Sequence, residues 1–158
     1  EMLRRRRATG GPAEQTFATL LGLELRPRKM REAAVLWARL TEAAGLASLR
    51  VESEEAMKFI ADVFWFSMEF GVIREHGEVK AYGAGILSSF GEMDEFTHME
   101  HRPLDLAAMG TLAYDITQYQ PVLFCAQSLD ELEEVVGGFF DTVDDDLTDR
   151  LRAEAAGA

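Results

Sequence analysis

The sequence predicts an α+β domain, mainly helical with one small β-hairpin, and three observations carry that prediction. An apolar run at helical spacing begins directly behind a capping serine, Ser53. Two short stretches, VIR and EVKAY, flank the polar turn EHGE. A second capping signal, Ser128 with Glu131, opens another apolar run. At 158 residues and 47% hydrophobic composition, the chain is long enough for one buried core and too short to promise two domains.

Residues 1–13 read as a basic leader. A short helix is expected over Glu14–Leu21, with Gly22 just past its end and a break at Pro27. A helix follows from about Arg31 to Ala44, placing Ala33, Leu36, Leu40 and Ala44 near one face until Gly45 interrupts it. The strongest helix starts at Ser53, with Glu54 and Glu55 suited to the positive end of its dipole. Ala56, Phe59, Ile60, Val63 and Phe66 form its core face, and Met57, Phe64, Trp65 and Met68 widen the apolar surface, so its second half is buried. Gly71 is the expected terminator.

VIR and EVKAY then predict the hairpin, across a loop that is not one of the two-residue glycine turns. AYGAGILSSFGE, rich in glycine and serine, reads as an ordered loop with a short helical turn. Residues 94–103 read as a polar connection, and YQPVLFCA as a buried strand with Pro121 at its beginning. The helix after Ser128, LDELEEVVGGFFDTV, is weakened by Gly137 and Gly138, at about 1 kcal/mol each relative to alanine. The acidic tail, residues 144–158, offers only Leu147 and Leu151 as an apolar pair, too little for a coiled coil.

The net charge of -12 is unevenly spread. Residues 1–50 hold ten of the sixteen basic residues and five of the twenty-eight acidic ones. The remainder would repel phosphate backbones, which argues against nucleic acid as a partner. Arg4–Arg7 are the exception, and a solvated leader accounts for them. No apolar run reaches the ~18 to 20 residues of a membrane span, and no secretory signal is present, so a cytoplasmic protein without a membrane partner is expected. The single cysteine, Cys125, reads as a small buried hydrophobe.

Glu69 asks for an explanation. It falls between Met68 and Phe70 in the last turn of the most apolar helix, where the dipole disfavours a carboxylate. Either its side chain reaches water at the hairpin edge, or a cation, an arginine or a hydrogen-bond network faces it. Asp62, Trp65 and Glu69 fall on one helical stripe, at spacings of three and four.

WFSMEFG around Glu69 resembles the iron-ligand segment of the pterin-dependent aromatic amino acid hydroxylases. The resemblance continues through KAYGAGILSSFGE, RPLDLAAMGTLAYDITQYQPVLF and LEEVVGGFF, covers residues 42–143, and is nearest to bacterial phenylalanine 4-monooxygenases. It implies the C-terminal part of that catalytic domain, with residues 14–41 a poorly matched helical segment ahead of it. It further implies ferrous iron and tetrahydrobiopterin as cofactors, and an aromatic amino acid and dioxygen as substrates, with phenylalanine to tyrosine favoured. By this likeness Glu69 is a metal ligand, Trp65, Gly85, Ser88 and Ser89 lie on the substrate side, and Ala61 lies near the pterin. Ser88 would steady an iron-bound histidine. For the glycines and serines a tight loop is the plain alternative.

The chain departs from the family where the metal needs its other ligands. The paired-histidine segment expected some twenty residues before EAAGLAS is absent, and residues 1–75 contain no histidine. His76, His98 and His101 all follow Glu69 and read as solvated surface residues. The missing segment, together with Glu1 ahead of Met2, predicts a partial copy of the enzyme whose iron site is incomplete. A non-catalytic remnant acting as a folded acidic module is the alternative. Lacking a heptad extension, the protein is expected to be a monomer or weak oligomer.

Overall fold

The computed structural model describes residues 27–157. The basic leader and the Glu14–Leu21 helix lie outside them. The chain divides into two compact units, Glu1–Leu36 and Trp37–Ala158. In the first, the described residues are helical and Leu36 is buried. Apart from the first turns of the helix that opens at Pro27, everything below concerns the second.

Helix α1 spans Pro27–Ser48. Proline suits the first helical position, where its missing N–H has no partner to lose, so Pro27 opens the helix instead of ending a segment. Gly45 does not stop it. That residue is exposed with open space around it, and the helix runs one turn further before Leu49 N–H and Arg50 N–H close tight turns onto Leu46 and Ala47, at 3.2 and 3.0 Å. The C-terminal half of α1 buries Leu40, Ala43, Ala44 and Ala47.

Helix α2, Glu54–Phe64, starts where the sequence places it. The Ser53 hydroxyl accepts the Ala56 N–H at 3.1 Å. The carboxylate of Asp145 accepts the N–H groups of Glu52 and Ser53, at 2.9 and 2.8 Å. The neighbouring Ser53 hydroxyl, the largest influence, and those two N–H groups hold the Asp145 carboxyl below its usual range. A depressed folded-state value stabilises above the unfolded pKa of about 3.9 and is lost as pH falls through the folded value. Asp145→Asn is therefore expected to flatten the acid limb of melting temperature against pH, below about pH 4. A thermal scan across pH 2–7 checks it, and an unchanged limb would contradict the assignment.

After α2 the helix widens into a π turn, Trp65–Glu69, whose closing bond runs from Phe70 N–H to Trp65 O at 2.9 Å. The expected end at Gly71 is met within two residues. Met57 is exposed, so the apolar surface of α2 is narrower than predicted.

Strands β1, Val72–Glu75, and β2, Glu78–Ala81, form the expected hairpin. The turn differs from expectation. It has two residues, His76 and Gly77, with φ of 54° and 86°. This is the left-handed pair that matches strand twist, and histidine is among the few side chains that tolerate it. Gly77→Ala should cost about 1 kcal/mol, read as a lowered denaturation midpoint.

Where an ordered loop with one short helical turn is expected over 81–92, two short helices form, α3, Ala84–Ser88, and α4, Phe90–Glu95, the latter capped by the Ser89 hydroxyl on Glu92 N–H at 3.3 Å. Residues 94–103 are more than a polar connection, since Glu100–Pro103 make strand β3. After α5, Leu106–Met109, the fully buried β4, Val122–Ala126, completes a sheet ordered β2-β1-β4-β3. Strand β4 runs parallel to both β1 and β3. Polar Glu100–Arg102 were read as connection because an edge strand keeps one side in water, and its pairing is dictated by β4.

Ser128 caps α6, Leu129–Leu132, accepting the Glu131 N–H at 3.0 Å. A second π turn, Glu133–Gly137, leads into α7, Gly138–Thr142, and α8, Asp145–Gly157, closes the chain. Gly137 is explained by packing, because a Cβ there would stand 3.2 Å from Leu40. Arg39 pairs with Glu133 and Asp141, and Arg50 donates to the Phe140 carbonyl, tying α1 to this segment. The helical core centres on Phe59, Phe66, Phe139 and Phe140, with Phe59 and Phe139 ring centroids 5.8 Å apart. Phe70 and Ile86 pack with the sheet residues Val72, Leu123 and Cys125 in a second cluster. Cys125 is the buried hydrophobe expected, its thiol pushed up by burial. Among the described residues no helix is long and apolar enough to cross a membrane.

Candidate functional site around Glu69

The π turn sets the site. At its middle the buried Ser67 hydroxyl donates to the Val63 carbonyl at 2.6 Å, in competition with the backbone ladder. Asp62 and Trp65 of the predicted stripe both meet Tyr114, and Glu69 follows across the wider turn. Asp62 is buried and paired with Lys58, one turn back. Glu69 is half-buried at the far end of the turn.

Trp65 lies between two rings. Phe70 approaches at 4.6 Å with a tilt of 34°, and Tyr114 stacks at 4.7 Å and 13°. Its indole N–H donates to Gln120 Oε1 at 3.4 Å. The Tyr114 hydroxyl meets the Asp62 carboxylate, which together with burial, the larger influence, pushes that phenol up.

The segment after the hairpin packs directly on Glu69. A Cβ on Gly83 would fall 2.4 Å from the Glu69 carbonyl oxygen, and one on Gly85 would fall 2.9 Å from the Phe70 ring. These glycines bring backbone close to the carboxylate-bearing turn. Trp65, Glu69 and Gly85 are thus brought together. Ser88 is exposed at the end of α3, donating to the Gly85 carbonyl at 3.1 Å, and Ser89 serves as the cap of α4. Ala61 is exposed on α2.

Four contributing residues were not singled out from sequence: Asp62 as a partner of Tyr114, Tyr114 itself, Gln120 and Glu92. Glu92 carried a signal, since Ser89-Phe90-Gly91-Glu92 has capping-box spacing. Its carboxylate is nevertheless buried, with Oε2 lacking a hydrogen-bond partner.

The histidines do not gather at Glu69. His76 lies in the hairpin turn, His98 is exposed 4.0 Å from Glu95, and His101 Nε2 meets the Phe96 carbonyl at 2.9 Å. Among the described residues no three histidine, cysteine, aspartate or glutamate side chains cluster for a metal. A two-histidine, one-carboxylate iron site needs two imidazoles beside the acid. Glu69 alone does not meet that requirement, and these residues do not fit a ferrous ion by themselves.

A mixed sheet and a helix widened at its end by a π turn, whose backbone packs on a glycine-lined loop, frame this site. The sequence model of the biopterin-dependent aromatic amino acid hydroxylases matches residues 32–153, and the chain belongs to that family. Over 110 residues it is 54% identical to the phenylalanine 3-hydroxylase of Streptomyces coeruleorubidus, covering 70% of this chain and 39% of that protein. The apo phenylalanine hydroxylase of Colwellia psychrerythraea superposes with a TM-score of 0.63 at 29% identity, over 77% of this chain and 46% of that one. A Chromobacterium violaceum phenylalanine hydroxylase with bound Fe(III) gives 0.61 at 25% identity, over 78% of this chain and 43% of that one. The chain therefore spans less than half the length of these relatives. A second model, of zincin-like metallopeptidases, matches residues 1–51, less than half the chain. That stretch contains no histidine, so no His-Glu-x-x-His zinc motif lies in it.

Proposed function

We propose that this chain is the Glu69-bearing part of a tetrahydropterin- and iron-dependent aromatic amino acid hydroxylase that acts on phenylalanine with dioxygen. The observation that carries the reading is the half-buried Glu69 at the end of a π turn, held against the backbone of Gly83 and Gly85 beside Trp65. Family membership and the iron in the Chromobacterium structure support the cofactors. Iron, when bound with a pterin, supplies the activation of dioxygen. This chain's residues supply one oxygen donor, an aromatic wall and a close-packed loop. Ala61, Ser88 and Ser89 keep their proposed places on the pterin and substrate sides. A cytoplasmic monomer or weak oligomer belongs to the same proposal.

Tyrosine is the expected product. Hydroxylation at ring position 3 is the second reading, favoured by the 54% identity to the Streptomyces enzyme. The test is a chimera in which this chain's matching 110 residues replace their counterpart in that enzyme. Pterin- and iron-dependent hydroxylation of phenylalanine is expected, and chromatography of the product separates the two ring positions. A folded chimera without turnover would overturn the proposal. The alternative, a non-catalytic acidic module, is favoured by the lack of a three-ligand metal cluster among the described residues. It requires the chain alone to melt cooperatively as a monomer.

A further inference from the structure

Residues 114–120 lie across the indole of Trp65 as a strap. Tyr114 at one end stacks on the ring and meets Asp62. Gln120 at the other end is buried, and its amide is fully engaged. Oε1 accepts the Trp65 N–H at 3.4 Å, while Nε2 donates to the strap's own carbonyls at Asp115 and Gln118, at 3.2 and 3.3 Å. The residues between, Asp115–Tyr119, are exposed. The strap therefore depends on its ends.

Helix α4 grips the Gln120 end at two neighbouring points. The Tyr119 hydroxyl fills the space beside Gly91, where a Cβ would come within 2.1 Å of it. Next to it the Glu92 carboxyl faces the backbone N–H of Gln120. Glu92 is 5% exposed and has an oxygen without a partner. Burying such a group is unfavourable unless a neighbouring interaction offsets it, and the Gln120 backbone N–H offsets burial only in part. The same segment, residues 83–92, touches the Glu69 carbonyl at its start and the strap at its end. It connects the backbone of the Glu69 turn to the strap over the indole.

We propose that Glu92 is a positioning residue that latches the 114–120 strap and so fixes the Trp65 indole relative to Glu69. The inference rests on the reading above that Trp65 belongs to the amino acid pocket, but its primary test involves no turnover. The chain has two tryptophans, so Trp37→Phe leaves Trp65 as the sole indole. In that background Glu92→Ala is expected to shift Trp65 emission to the red, raise acrylamide quenching several-fold and weaken the near-UV circular dichroism. Far-UV dichroism should stay unchanged.

Glu92→Gln keeps a carbonyl acceptor for Gln120 and is expected to retain the parent spectra. Gln120→Met, of similar volume, removes the indole's acceptor and should reproduce the Glu92→Ala spectra. Unchanged Trp65 signals in Glu92→Ala would overturn the latch, as would a Glu92→Gln variant as perturbed as the alanine. Should Glu92→Ala fail to fold, the glutamine and methionine variants decide by the same signals. In the chimera, loss of the latch in Glu92→Ala is expected to raise KM for phenylalanine more than it lowers kcat. An inactive chimera with the expected spectra would sink the hydroxylase reading and leave the latch standing.

Discussion

Gly71→Ala is expected to abolish the cooperative melting transition, or to lower stability by about 3 kcal/mol or more. A Cβ at this position would fall 2.0 Å from the Ser67 carbonyl oxygen and 2.3 Å from the Tyr82 ring. Neither neighbour can yield. The Ser67 carbonyl belongs to the π turn, and Tyr82 has its hydroxyl buried against the sheet, where burial pushes the phenol well above its ordinary range. Gly71 also accepts from both Tyr82 N–H and Gly83 N–H, at 3.2 and 3.0 Å, so a shift there would unseat the loop below Glu69. Chemical denaturation of the purified variant is the measurement. A midpoint within error of the parent would show that this approach is looser than the geometry states. Gly45→Ala, with nothing within 4 Å of the added carbon, is the matched control and should be neutral or slightly stabilising.

The second large effect is on chemistry. In the chimera, Glu69→Ala is expected to reduce hydroxylation to the level of an iron-free control while leaving the melting temperature nearly unchanged. Glu69 is half-buried and makes no ion pair among those described, so its removal opens no sealed cavity and strands no buried charge. Glu69→Asp keeps the carboxylate but draws it back by one methylene, and should retain iron more weakly than the parent. Iron content per chain, measured beside turnover, separates loss of metal from loss of fold. Full turnover in Glu69→Ala would remove the central support for the proposed function.

Much of this was legible in the chain. Ser53, Ser128 and the fully apolar VLFCA run announced their elements, because capping chemistry and complete burial are local signals. The hairpin turn was misread because a histidine, His76, takes the left-handed position where glycine or asparagine is the usual marker. Strand β3 was hidden because its pairing comes from β4, twenty residues downstream. Periodicity also passed over the π turn, since counting by threes and fours assumes an unbroken α-helix and composition does not announce the wider one. Glu69 itself was legible as an acid in an apolar turn. Gln120 and Glu92 were not, because their roles depend on segments far apart in sequence meeting at one indole.

The widened turn at Trp65–Glu69 acts as a vernier. One surplus backbone residue rotates everything beyond it about the helix axis, while Ala56, Phe59, Ile60 and Val63 stay seated in the core. Where the carboxylate aims can thus be adjusted by inserting or deleting a single residue there, without redesigning the face that holds the helix in place.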